Sequence, residues 1–167
     1  MTVPRALDAV DAILEQWQNE RPDLNTLPMG TIGRLKRASM LIERRLKDCF
    51  SEFGLTSWEF DVLATLRRSG TPYRLAPTAL FSALMVTSGT MTHRLQSLEN
   101  RCYVRRIANP EEARRLMVEL NTEGFDLIDR AVTAHVANEH RILANLTEED
   151  LVELDCLLSR LLRLLDE

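Results

Sequence analysis

The sequence predicts a mainly α (α+β) fold, and three observations predict it. Apolar residues recur at helical spacing along most of the 167 residues. Pro28, Gly54, Gly70 and Pro77 fall between those stretches, where helices start and stop. One segment breaks the pattern. In residues 103–120, "YVRRIA" and "RLMVEL" are short and alternating, and they flank "NPEEAR" with its Asn-Pro turn signal, so a two-stranded hairpin is expected.

In chain order, "LDAVDAILEQW" puts Leu7, Val10, Leu14 and Trp17 on one stripe. Pro28 suits a helix start, and Ile32, Leu35, Ile42, Leu46, Cys49 and Phe53 then continue a roughly heptad stripe to Gly54. "TSWEFDVLATLRRSG" is a short, nearly all-apolar helix ending at Gly70, and Pro77 opens "PTALFSAL". Next comes "MVTSGTMTHRLQSLENR", residues 85–101. Met91, Leu95 and Leu98 recur at helical spacing, yet Thr87, Ser88, Gly89, Thr90 and Thr92 are poor helix formers. After the hairpin, "TEGFDLIDRAVTAHVANEHRILANL" carries Phe125, Ile128, Val132 and Val136. In "LTEEDLVELDCLLSRLLRLL" Thr147 can cap the helix with Asp150 three residues on, and Leu146 and Leu151 are placed for a hydrophobic staple. Leu151, Leu154, Leu158, Leu161 and Leu165 form an apolar stripe that needs a partner helix, and "LDAVDAILEQW" offers another such stripe.

Helix, short turn, helix and β-hairpin from Pro77 onward is the plan of a winged helix-turn-helix. That plan explains the weak first turn. Short hydroxyls and exposed backbone N–H groups at a recognition helix N-terminus can bond bases or phosphates, and Gly89 allows close backbone approach. With Met91, Leu95 and Leu98 inward, Gly89, His93 and Gln96 point outward, flanked by Thr90 and Thr92. Gln can pair with adenine in bidentate fashion, and Thr can touch a thymine methyl. An ordinary surface helix with a Thr cap would show part of the same pattern.

Length fits one domain with a sizeable core. No apolar run reaches 18 residues, and the N-terminus lacks a signal pattern, so a cytoplasmic protein with no membrane contact is expected. Cys49, Cys102 and Cys156 give neither a disulfide framework nor a zinc spacing, and no histidine pair suits a metal. No cofactor is expected. Without a nucleophile–base pair or a phosphate loop, an enzyme is not expected either. The net charge of −4 argues against nucleic acid, but its distribution does not. Residues 1–84 carry 11 basic and 10 acidic groups, residues 116–167 carry 4 and 12, and residues 85–115 carry 6 and 3. The surplus of arginine (94, 101, 105, 106, 114, 115) therefore sits on the odd helix and the hairpin, where it can bind phosphate.

The stretch from "LTSWEFDVLATLRRSG" through "LMVTSGTMTHRLQSLENRCYVRRIANPEEARRLMVELNTEG" resembles the MarR family, in element order over about residues 30–165 and most strongly over 54–124. The resemblance implies a single domain over 1–167. Within it, dimerisation helices span 1–53 and 122–167, and a winged helix-turn-helix lobe spans 54–121. It implies a cytoplasmic homodimer on a palindromic double-stranded operator, usually a repressor, released by a small anionic or aromatic ligand. Thr87 to Gln96 would then lie in the major groove and the hairpin tip, around Arg114 and Arg115, in the minor groove. Two departures stand out. The wing reads Asn109, Pro110, Glu111, Glu112, Ala113, Arg114, Arg115 where the family has Asp-Pro-x-Asp-Arg-Arg. Cys102 stands where the family favours glycine, so it must adopt a left-handed cap or change how the helix ends.

"GRL", "EFDVLATLRR", "ALMVTSGTMT" and a tryptophan-bearing N-terminal helix resemble the urate-responsive branch of that family. The resemblance implies a urate-like effector held by Trp17, Asp61, Arg94 and Arg106. The residues themselves allow this. Asp61 lies among Phe60, Val62 and Leu63, where an unpaired carboxylate is costly. Arg94 is only about 60° from the inward stripe of its helix, and Arg106 alternates with Val104. A buried acid, two inward arginines and an aromatic wall would suit an anion. Trp17 in the core, Asp61–Arg94 as a structural ion pair and Arg105 or Arg106 on phosphate are the plainer alternatives. Two rival functions remain. One is redox sensing through Cys49, or through Cys102 beside Arg101, Arg105 and Arg106. The other is a helical dimerisation module without a DNA role, which the arginine cluster disfavours.

Overall fold

The computed structural model describes residues 6–84, 91–109 and 116–166, with the backbone alone for Met91 and Thr92. The chain forms two compact units that divide inside one helix, at Arg45 and Leu46.

The first unit holds helix α1 (Ala9–Glu20) and most of α2 (Leu27–Ser51). α1 starts where Asp8 caps it. The Asp8 carboxylate accepts from the backbone N of Val10 and Asp11, and the Asp11 carboxylate accepts from the N of Asp8. Arg34 of α2 donates to both acids, at 2.7 and 2.6 Å. Leu7 therefore precedes the helix rather than joining its stripe, and it is exposed. Val10 is buried beside Gly33. Trp17 is 41% exposed, so within the described chain it is not a core residue.

In the second unit, α2 ends at Gly54 (φ 65°), whose N–H bonds the Ser51 carbonyl while that of Leu55 bonds Phe50. This is a Schellman stop. α3 (Ser57–Arg68) follows, capped by Thr56, and it supplies the centre of the core through Phe60, Val62, Leu63 and Leu66. Strand β1 (Arg74–Leu75), α4 (Pro77–Ala83), α5 (Met91–Asn100), β2 (Val104–Ala108) and β3 (Leu116–Leu120) come next. Leu80 of α4, Leu95 and Leu98 of α5, and Val104, Val118 and Leu120 of the strands close over α3.

The sheet has three antiparallel strands in the order β1-β3-β2, not the two the sequence predicts. β2 and β3 are the expected hairpin, with Arg106 opposite Val118. β1 escapes sequence reading because two residues before "APTAL" show no alternation. It forms because the outer edge of β3 is free to pair, Arg74 with Glu119 and Leu75 with Val118.

α6 (Thr122–Leu143) packs its first half on α3 through Leu127, Ile128 and Ala131. It therefore belongs in part to the lobe that the sequence closes at residue 121. Gly124 makes the close approach possible: a Cβ there would overlap the Tyr103 carbonyl. α7 (Glu148–Leu165) is capped by Thr147 and Asp150 as predicted, and none of its residues is buried. No described helix is long and apolar enough to cross a membrane.

Candidate nucleic-acid interface

α5 is fixed by its inward side. Leu95 and Leu98 are buried, which leaves His93 and Gln96 exposed on the outer face, as the 100° spacing predicts, and Asn100 is exposed as well. The other predicted contact residues, Thr87, Ser88, Gly89 and Thr90, lie outside the described residues. So do Arg114 and Arg115, and the Thr92 side chain.

The C-terminal end of α5 is anchored twice. Cys102 takes φ 58°. Its N–H bonds the Glu99 carbonyl and that of Tyr103 bonds Leu98, so α5 stops by the same Schellman geometry that Gly54 gives α2. The left-handed alternative for Cys102 is the one realised. Arg101 then joins the two stops. Its guanidinium donates to Glu59 Oε1 at 2.8 Å, to the Gly54 carbonyl at 2.9 Å and to the Tyr103 hydroxyl at 3.3 Å, and it lies over the Tyr103 ring. Glu59 is buried, and its second oxygen takes the N–H and hydroxyl of Thr56, which completes the α3 capping box. The sequence places Arg101 in the basic cluster and beside Cys102, and does not reveal this anchoring role. Its signal was the Thr-x-x-Glu box at Thr56, which places an acid at a helix start where an arginine can meet it.

The second anchor is Arg106 on β2. Its Nη2 lies 3.0 Å from Glu99 Oε2 and donates to Gln96 Oε1 at 2.8 Å, and its backbone N–H donates to Glu99 Oε1. Gln96 in turn donates to Asn100 Oδ1 at 3.0 Å. Arg106 Nε is buried and has no hydrogen-bond partner among the described residues. Arg105 pairs with Glu119 at 3.3 Å. The basic cluster is thus partly neutralised. Arg101, Arg105 and Arg106 have carboxylate partners, and the Arg94 guanidinium lies 5.4 Å from the Trp58 ring centre.

Asp61 corrects the expectation of a buried acid. Phe60, Val62 and Leu63 face the core, while Asp61 falls on the open side of α3 and keeps exposed surface. Its surroundings still displace enough water to push its carboxyl above the usual range, opposed by His135 and then Arg68. The bonded partners of Arg106 are Glu99 and Gln96, not Asp61. Trp17 belongs to the first unit. Cys49 is buried, and that burial, with Glu52 nearby, pushes its thiol up against the pull of Arg141. Cys102 is exposed.

No family model matches the chain. It is 46% identical over 151 residues to the HTH-type transcriptional regulator PecS of Dickeya dadantii, covering 90% of this chain and 91% of that one. The chain belongs to the MarR family of DNA-binding transcriptional regulators. AbsC, a MarR family regulator from Streptomyces coelicolor, superposes with a TM-score of 0.76 at 25% identity, covering 86% of this chain and 97% of AbsC. A mutant MarR from E. coli complexed with operator DNA matches in fold, with a TM-score of 0.70 at 24% identity over 87% of this chain and 97% of that one. Within this fold, Glu99–Arg106 ties β2 to α5.

Proposed function

We propose that the protein is a homodimeric repressor that binds a palindromic double-stranded operator and is released by a small anionic or aromatic ligand of the urate type. The outer face of α5 carries the DNA reading: Leu95 and Leu98 bury one side of the helix, and His93 and Gln96 are exposed on the other. The operator-bound E. coli MarR of the same fold supports it. Thr87, Ser88, Gly89, Thr90 and Thr92 extend the reading surface toward the helix start, and Arg114 and Arg115 supply the minor-groove contact of the wing. The homodimer is supported by α7, which buries none of its residues although Val152, Leu154, Leu157, Leu162, Leu164 and Leu165 are exposed apolar groups.

The effector reading rests on Arg106. Its buried Nε–H has no hydrogen-bond partner among the described residues, and an anion taking the place of Glu99 would accept from it. Asp61 and Arg94 are the further ligand groups in this reading, with Trp17 as the aromatic one. An anion at Arg106 competes with Glu99 and Gln96, and so acts on α5 and β2 together. To release DNA it must favour a lobe arrangement that DNA does not accept. Cys49, held as a buried thiol, makes a redox trigger at that position the weaker alternative.

A thermal-shift screen of purines and aromatic acids, with and without operator DNA, tests the whole reading. A ligand that stabilises the protein and weakens DNA binding is expected, with reciprocal coupling of about 5–150-fold. If calorimetry shows urate or a related anion binding wild type and Arg106→Ala equally well, Arg106 is not part of the effector site. Arg114→Ala with Arg115→Ala should weaken every DNA sequence and flatten the salt dependence. A double variant with unchanged affinity at every salt concentration refutes the wing assignment.

A further inference from the structure

We propose that Arg106 is a specificity-positioning residue: it fixes the orientation of the Gln96 amide, so that Gln96 selects adenine over guanine at one position of each operator half-site. This rests on the reading above that the outer face of α5 meets base edges.

A glutamine amide is nearly symmetric in shape, and its partners decide which end is oxygen. Here the partners leave one choice. Arg106 can only donate, so the atom 2.8 Å from its Nη2 must be Gln96 Oε1. At the other end Asn100 Oδ1 accepts from Gln96 Nε2 at 3.0 Å. The guanidinium is itself held, 3.0 Å from Glu99 Oε2, while the Arg106 backbone N–H bonds the other Glu99 oxygen. Turning the amide over would set N–H against N–H at Arg106 and lose a charge-assisted bond.

Each bonded end keeps one free valence. Gln96 Nε2 has two hydrogens and spends one on Asn100, and Oε1 has two lone pairs and spends one on Arg106. One donor and one acceptor remain on the two ends of an exposed amide. Adenine offers the matching pair in the major groove, N7 as acceptor and N6 as donor, whereas guanine presents two acceptors, N7 and O6. An amide held at both ends also loses less side-chain freedom on binding. A merely structural role for Arg106, pinning β2 to α5, would change stability or overall affinity and leave the base preference untouched.

The test is selection from a randomised duplex library by full-length wild type. Competition gel shifts on single-base variants of the selected site then compare wild type, Gln96→Ala and Arg106→Met at one salt concentration, with thermal melting to confirm folding. Gln96→Ala should lose the adenine preference at one position per half-site, about 5–150-fold, the discrimination a bidentate pair supplies. Arg106→Met should lose it at the same position and no other, and the double variant should be no worse than either. Glu99→Gln, which keeps Arg106 but removes its carboxylate anchor, should give a smaller loss there, and it serves if Arg106→Met does not fold. If Gln96→Ala loses the preference while Arg106→Met and Glu99→Gln keep it, or if Arg106→Met weakens all sequences alike, the positioning role is overturned and the reading by α5 stands. If Gln96→Ala changes no position, or wild type selects no sequence, the reading by α5 fails and this inference with it.

Discussion

Arg101 holds more of the α5 end than any charge count suggests, since one guanidinium serves a buried carboxylate, a helix-stop carbonyl and a phenol. Arg101→Ala leaves Glu59 buried with only its Thr56 bonds, and a destabilisation of about 1–3 kcal/mol is expected in urea titration. Arg101→Lys should recover only part of it, because an ammonium lacks the fixed fork that reaches several acceptors. Asp61 behaves oppositely. Its folded-state pKa is raised, so the folded chain holds that proton more tightly than the unfolded chain does, and stability falls as pH rises from the ordinary aspartate value through the raised one. Asp61→Asn should therefore melt higher than wild type at neutral pH, with the gap shrinking as pH is lowered into the aspartate range. Equal melting temperatures at neutral pH would remove desolvation as a cost at this site.

At the scale of elements, two helices end alike on unlike residues. Gly54 takes φ 65° without penalty, whereas Cys102 takes φ 58° with a Cβ. Cys102→Gly should raise stability by roughly 1 kcal/mol, measured as a shift in the denaturation midpoint at constant slope. Because Cys102 is exposed and Cys49 buried, native alkylation should also modify Cys102 well before Cys49. Gly124 is the contrary case. Its place in α6 needs no unusual backbone, only the absence of a Cβ next to the Tyr103 carbonyl. Gly124→Ala improves helix propensity by about 1 kcal/mol, yet it should destabilise, because the α6–β2 approach must open. A variant as stable as wild type would show that α6 can shift without cost.

For the molecule as a whole, the decisive feature is that each unit leaves large apolar side chains exposed among the described residues. Leu154, Leu157, Leu162, Leu164 and Leu165 on α7, and Ile32, Met40 and Leu41 on α2, are exposed in numbers unusual for a lone soluble chain. Sedimentation at micromolar concentration should give a dimer, and Leu157→Asp with Leu162→Asp should weaken it or unfold the chain, because an obligate dimer has no separate monomer stability. A folded wild-type monomer at that concentration would falsify the dimer.

Periodicity and punctuation alone determined the helices, the β2–β3 hairpin, the inward Leu95 and Leu98 and the outward His93 and Gln96. These depend on spacing within one element, which the sequence carries directly. The Cys102 stop was only half legible: the family resemblance puts a glycine there and leaves two outcomes open, and the packed chain takes the left-handed one. Tertiary structure decided the rest. β1 exists only because the edge of β3 is available to pair. Arg101 and Arg106 look alike in a charge count, and only the fold brings Glu59 to one and Glu99 with Gln96 to the other, across 42 residues in the first case and at most 10 in the second. Asp61 was misplaced because three apolar neighbours in sequence describe a whole turn of helix, while burial belongs to one side of it. Spacing fixes which residues share a face, but what each face meets depends on contacts between elements distant in sequence, and those exist only once the chain has packed.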